Sequence, residues 1–243
     1  MFRGRDDLDE AAAEQIADLA GTAIERSGRF TWVLSGGSTP RPVYARLASE
    51  QMAGRVEWSR VHFFWVDERC VPPDDAESNY RAARETLLDG VNPPAANVHR
   101  IRGEDQPEQA AAAYEQLLHE FFQVGRDAPP PRFDLVLLGM GADGHTASLF
   151  PGTPHLLETR RWVVANPAGE TIRSRVTMTP VIINAAANVT FIVAGSSKAA
   201  RLSEVLRGEP RGTPWPVQLI KPVDGQLRWM VDADAAAKLE GAR

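Results

Sequence analysis

The sequence predicts an α/β fold built on a mostly parallel sheet with helices on both faces, and three features carry that expectation. Short apolar runs alternate with helical segments along the whole chain. The run at 133–138 is nearly continuous in apolar residues rather than alternating, as in strands covered on both faces, and those at 30–34 and 60–66 read the same way. At 243 residues, 43% hydrophobic and 24% charged, the chain can bury a substantial core without disulfides or metals, so one domain over 1–243 is expected.

The first helix is predicted over 7–27, where LDEAAAEQIADLAGTAIER is rich in Ala and Glu and sets Leu8, Ala12, Ile16, Leu19 and Ala23 along one side. Phe30–Leu34 reads as a buried strand. SGGSTPRPVYARLASE follows it, with Ser, Thr and Pro where a helix begins. Strand, glycine turn and helix start together predict an anion cradle. Its donors are the backbone N–H groups of Gly36, Gly37 and Ser38, the hydroxyls of Ser38 and Thr39, and the positive end of the helix dipole. The lysine of a P-loop is missing, so the signal is weaker than that motif, and an ordinary capped turn is the alternative.

RVHFFWV at 60–66 is the next strand, and DERCVPP leaves it. Asp67 and Arg69 lie two apart and share a face of an extended segment, with Glu68 turned the other way. An Arg held by an acid suits recognition of phosphate or sugar oxygens through paired hydrogen bonds; a surface ion pair is the alternative. A helix is predicted over 77–89 with Ser78 as its cap and Asn79 close to the site. A loop at 90–96, a short strand in NVHRIRGE and a helix over 106–123 follow, with His119 expected on the helix surface among polar neighbours. DAPPPR is a loop feeding the strand at 133.

Past that strand, Gly139, Gly141 and Gly144 break the apolar pattern and imply an unusual backbone path. Such a turn can aim Asp143 and His145 into the crevice at the strand's carboxyl end, with a helix expected to start near Ala147 and Ser148. The alternative is a tight strand-to-helix turn with His145 as a packing residue. TRRWVVANP reads as a strand and RSRVTMTPVIINAA as a strand followed by a helix from Pro180, with Arg173 and Arg175 on one side. NVTFIVAG repeats the strand-to-turn pattern, and SSKAARLSEVLRG opens a helix with Ser196 or Ser197 as cap. Lys198 sits in that first turn, where the helix dipole disfavours a cation. This points to a nearby anion, with a solvated lysine as the alternative. A strand at 226–231 and a helix at 232–239 close the chain. GGS, DER, GADGH and SSK all follow strand ends, so they are expected to converge at the switch point of a Rossmann-like three-layer α/β/α fold.

The net charge of -5 and the absence of a basic run argue against a nucleic-acid partner. The single Cys70 and five scattered His leave no recognisable metal-ligand cluster. SGGSTP lacks the G-x-G-x-x-G spacing and no ribose acid stands out, so no nicotinamide or other cofactor is expected. No apolar stretch reaches membrane-spanning length and MFRGRDDLDEAAAEQ lacks a signal-peptide core. A cytoplasmic protein without membrane partners, monomeric or weakly homo-oligomeric, is the expectation.

GMGADGHTASLFP closely resembles the signature of 6-phosphogluconolactonases, which share a fold with glucosamine-6-phosphate deaminases. The resemblance extends to LSGGSTPRPVY at 34–44, VDERCVPPDDAESNY at 66–80, RVTMTPVIINAA at 175–186 and VAGSSKA at 193–199, in the family's order. It implies hydrolysis of 6-phospho-D-glucono-1,5-lactone to 6-phosphogluconate, the second step of the oxidative pentose phosphate pathway. It also implies that Asp67 and Arg69 are active-site residues and that an arginine near 175 contributes to phosphate binding, Arg175 being preferred because it begins the RVTMTP block. The deaminase branch of the resemblance carries a carboxylate just before the final Pro, where this chain has Phe150. The residues alone reach less far, to a phosphorylated small molecule and a His-based reaction. No G-x-S-x-G elbow occurs, so water attack assisted by His145 is expected, with Asp143 or Asp67 fixing its tautomer. Amino-sugar phosphate deamination and a non-catalytic sugar-phosphate-binding regulator are the competing readings.

Overall fold

The computed structural model describes residues 1–166, 173–208 and 213–239. Its strands are β1 (Phe30–Leu34), β2 (Val61–Trp65), β3 (Asp67–Arg69), β4 (Val98–His99), β5 (Leu135–Leu138), β6 (Val163–Asn166), β7 (Arg175–Met178), β8 (Asn188–Val193) and β9 (Gln226–Val231). Its α-helices are α1 (Arg5–Ser27), α2 (Arg41–Leu47), α3 (Asn79–Ala83), α4 (Asp89–Val91), α5 (Pro107–Phe122), α6 (Pro180–Ile183), α7 (Ala199–Arg207) and α8 (Ala233–Ala236).

Six strands form one parallel sheet in the order β4-β2-β1-β5-β8-β9, flanked by helices in a Rossmann-like α/β arrangement. The apolar runs become its centre: Trp32, Phe63, Phe64, Phe133 and Phe191 are all fully buried. On α1 the small residues Ala12, Ala13, Ala17 and Ala20 are buried beside Leu8 and Ile16, so the helix lies close against its neighbours; it ends at Gly28, whose φ of 76° is left-handed.

The two segments around 163 and 175 do not join this sheet. They pair with β3 in a separate antiparallel sheet of order β3-β7-β6. Val66 is the pivot: its N–H donates to Leu34 O at 2.9 Å, extending the main ladder, while its carbonyl accepts from Met178 N at 2.7 Å. One residue thus couples the end of β2 to the small sheet.

Three further local expectations are corrected. No helix starts at Ala147 and Ser148 after the glycine turn: Thr146 and Leu149 form an isolated antiparallel bridge around Ala147, whose φ is 50°. Ser148 is committed instead to the small sheet, its N–H donating to Thr177 Oγ1 at 3.3 Å and its carbonyl accepting from Asn166 Nδ2 at 2.7 Å. Neither Ser196 nor Ser197 caps α7 through its side chain; Ser196–Lys198 is a 3-10 turn, and Gly195 N–H donates to the Asp232 carboxylate at 3.0 Å. His119 is buried rather than exposed, stacked on Trp162 with ring centroids 4.0 Å apart.

The predicted helix over 77–89 forms as α3, a π-helical turn at Arg84–Leu88, and α4, ending at Asn92 with φ 45°. Ser78 caps it, accepting from Arg81 N at 3.1 Å. Among the described residues no helix is long and apolar enough to cross a membrane, and no group of three or more His, Cys, Asp or Glu is placed to hold a metal.

Candidate active site

The chain runs outward from β1 in one direction through β2 and β4, and in the other through β5, β8 and β9. The order therefore reverses between β1 and β5. A doubly wound sheet opens a crevice at such a point, outside the carboxyl ends of the strands. A cleft of about 190 Å³ lies there, bordered by the 35–39 turn after β1 and the glycine turn after β5.

The first wall is the proposed cradle, with Gly36, Gly37, Ser38 and Thr39 all on the cleft. Its path is fixed from behind. Tyr44 on α2 donates its hydroxyl to Ser35 O at 2.9 Å and accepts from Ser35 N at 3.1 Å, in an environment so buried that the phenol is pushed well above its ordinary pKa. Arg5 on α1, ion-paired to Asp9 at 2.7 Å, donates to Thr39 O. Gly36 is required by a close approach: a Cβ there would lie 1.8 Å from Asn79 Oδ1.

The second wall comes from β3. Asp67 and Arg69 face the cleft as the strand period predicts, and Glu68 faces away. Arg69 is not paired with Asp67, contrary to the expectation of an arginine held by that acid; its Nη1 donates to Glu77 O. Asp67 accepts Ser148 Oγ at 2.6 Å on one oxygen and Asn79 Nδ2 at 3.2 Å on the other. Glu68 accepts N–H groups from Arg69, Asn79 and Tyr80 and the Ser78 hydroxyl, tying β3 to the start of α3. Burial pushes its carboxyl up, and those four hydrogen bonds oppose the shift.

The third wall is the glycine turn. Asp143 Oδ1 meets His145 Nδ1 at 2.6 Å and also accepts His145 N–H at 3.2 Å. Burial would raise the Asp143 carboxyl, but the charge of His145 and its hydrogen bonds outweigh it and hold the group below its ordinary value. Asp143, not Asp67, is therefore the carboxylate that orients the imidazole. With Nδ1 donating to Asp143, the lone pair of a neutral His145 is on Nε2. A Cβ at Gly141 would lie 2.2 Å from His145 Nδ1 and 2.4 Å from Asp143 Oδ1, so the dyad needs glycine there. The ring of Phe150 packs on His145 with centroids 4.8 Å apart.

Arg175 and Lys198 complete the cleft. Burial pushes the Arg175 guanidinium down; Asp67 opposes this and Arg69 adds to it. Its Cζ lies 5.5 Å from the Phe150 ring centroid. The Nε atoms of Arg69 and Arg175 are both buried without a hydrogen-bond partner among the described residues. Arg173 lies outside the cleft, exposed and paired with Glu77 at 3.0 Å.

The sequence profile described as glucosamine-6-phosphate isomerases/6-phosphogluconolactonase matches residues 3–229. The chain belongs to this family. A 6-phosphogluconolactonase of Nostoc sp. is 44% identical over 222 residues, covering 90% of this chain and 88% of the relative. One of Haemophilus influenzae is 38% identical over 206 residues, covering 85% and 86%. The solved structure of 6-phosphogluconolactonase from Trypanosoma brucei superposes with a TM-score of 0.86 at 30% identity, covering 98% of this chain and 97% of that one.

Within this family member, sequence reasoning overlooked Ser148, Thr177 and Asn166, which fasten the segment after His145 to the small sheet, and it left Glu68 without a role. Ser148 and Thr177 both lie in motifs that carry the resemblance, Ser148 where a helix start was expected and Thr177 in the RVTMTP strand.

Proposed function

We propose that this chain hydrolyses 6-phospho-D-glucono-1,5-lactone to 6-phospho-D-gluconate, with His145 as general base. One observation carries the reading: an Asp143-bound imidazole shares a single cleft with Arg69, Arg175, Lys198 and the 36–39 cradle. The names of the relatives support the same substrate. The cationic wall and cradle hold the phosphate through charge-assisted hydrogen bonds. His145 Nε2 takes a proton from water as its oxygen attacks C1, and Asp143 stabilises the imidazolium that forms. The C1–ring oxygen bond then breaks, and the imidazolium returns its proton to the departing oxygen. Charge on the C1 oxygen falls to donors in the cleft. The N–H groups of Gly141 and Gly144 are not among them, being committed to His145 O and Gly141 O. Arg69 and the remaining N–H groups of the 139–144 turn supply that role. Phe150 stands where the deaminase signature has a carboxylate, so no acid is positioned there to open an amino-sugar ring. A buried core running from Leu8 to Ala236 supports reading the whole chain as one domain.

The test is proton release from freshly generated lactone, corrected for spontaneous hydrolysis, beside ammonia release from glucosamine 6-phosphate. Lactone turnover without ammonia is expected. Comparable ammonia release, or no acceleration of lactone loss, overturns the proposal.

A further inference from the structure

The Asp143–His145 pair is open to solvent, the two side chains being 54% and 32% exposed. An exposed hydrogen bond in a glycine turn does not hold itself within the few tenths of an ångström that proton transfer requires. The turn has internal bonds: Gly141 N–H donates to His145 O at 2.8 Å, Gly144 N–H to Gly141 O at 3.0 Å, and Thr146 Oγ1 to Gly139 O at 2.8 Å. Those leave the carbonyls of Ala142 and Gly144, on either side of Asp143, facing out of the turn.

Both are caught from outside by a segment distant in sequence. Arg201 on α7 donates Nε to Ala142 O at 3.2 Å, and Val217 N–H donates to Gly144 O at 3.3 Å. Arg201 Cζ also lies 3.5 Å from the ring centroid of Trp215. The pair presses on Gly144, where φ is 82°: a Cβ there would lie 3.1 Å from Trp215 Cε3 and 3.2 Å from Arg201 Cδ. The support is itself anchored, since Gln218 donates Nε2 to Val205 O of α7 at 3.2 Å and Asn184 donates Nδ2 to Leu219 O at 2.9 Å. Neither Arg201 nor Trp215 lines the cleft.

We propose that Arg201 and Trp215 are positioning residues that clamp the 142–144 turn and hold Asp143 and His145 in register for proton transfer. The proposal rests on His145 as the base, but it concerns the turn and has a readout independent of turnover. A stacked guanidinium over an indole is stiff and weakly hydrated, which suits it to bracing a backbone turn at the surface.

Arg201→Gln and Trp215→Ala are compared with Trp215→Phe, which keeps a ring, and with wild type. Each is checked for folding by circular dichroism and followed by lactone kinetics and by the far-downfield proton resonance of His145 Nδ1–H on Asp143. The expected result for the first two is a kcat lowered by about tenfold, with KM within about threefold because the phosphate contacts lie elsewhere, and a lost or broadened resonance. Trp215→Phe recovers most of both. Folded variants with wild-type kcat and an intact resonance overturn the proposal, as does a rise in KM with the resonance unchanged. Should His145→Asn keep wild-type kcat while Arg201→Gln still abolishes the resonance, the clamp stands and the base assignment falls.

Discussion

Gly36→Ala tests how tightly the cradle is bound to β3. The backbone of Gly36 is not left-handed, so alanine meets no conformational penalty there, and its lower unfolded-state entropy favours folding by about 0.4 to 1 kcal/mol. The contact decides instead. The new Cβ would lie 1.8 Å from Asn79 Oδ1, 2.1 Å from Cγ and 2.6 Å from Nδ2, distances that no side chain accepts, and Asn79 is 2% exposed with little room to retreat. Moving it breaks Nδ2 bonds to Asp67 O at 2.9 Å and Asp67 Oδ1 at 3.2 Å. At about 1 kcal/mol for the neutral bond and about 2 for the charged one, less the entropic gain, the net loss is about 2 kcal/mol. For a chain of this size that lowers Tm by about 4 to 8 °C. KM for the lactone rises as well, because both Asp67 and the 36–39 turn shift. Thermal unfolding and lactone kinetics are measured on Gly36→Ala, Asn79→Ala and the double variant. Asn79→Ala removes all three of those atoms, so Gly36→Ala added to it costs less than about 0.5 kcal/mol. Additive losses, or a single Gly36→Ala variant with wild-type Tm and KM, refute the reasoning.

Other expectations follow from the same geometry. Lys198→Ala weakens binding of the phosphorylated lactone by about ten- to a hundredfold and of the unphosphorylated lactone much less, judged by KM on each; equal losses remove Lys198 from the phosphate site. His62 Nδ1 and His99 Nε2 lie 3.1 Å apart, so one donates and the other accepts, and the contact cannot survive with both rings charged. Burial first, and His62 second, lower His99 to about 4, while burial and Arg29 lower His62. The unfolded state binds the extra proton from pH ~6.5 downward and the folded state only near 4, so stability falls as pH drops through that window. Discounted for solvent screening of a partly exposed ring, the loss at His99 is on the order of 1 to 2 kcal/mol. Urea unfolding across that range shows it, and His99→Phe, which suits the stack on Phe64, reduces it. An acid loss unchanged in that variant assigns the effect elsewhere.

The features legible in the sequence were those set by neighbours in the chain. Buried strands announce themselves as apolar runs, and Asp143 and His145 are two residues apart on a turn whose glycines are visible. Ser78 as a cap and the shared face of Asp67 and Arg69 are local in the same sense. What was missed depended on partners far along the chain. Residues 163–166 and 175–178 look like any covered strand, and nothing local says that they pair with 67–69 instead of the main sheet. Ser148 reads as a helix start until Asp67, 81 positions away, takes its hydroxyl. His119 shares a helix face with Glu115 and Gln116, yet that position is covered by Trp162. Alternation placed Arg173 beside Arg175, but only Arg175 belongs to β7, and Arg173 precedes the strand and turns to Glu77.

The central claim is that His145 removes the proton from the attacking water. Steady-state kinetics of His145→Asn on the phosphorylated lactone, corrected for spontaneous hydrolysis, test it most directly. General-base assistance contributes about 10² to 10⁴ in rate, so kcat falls by that order while KM stays within a few-fold, the phosphate contacts being untouched. A variant that keeps near-wild-type kcat, or loses only affinity, contradicts the claim and makes His145 a binding or packing residue.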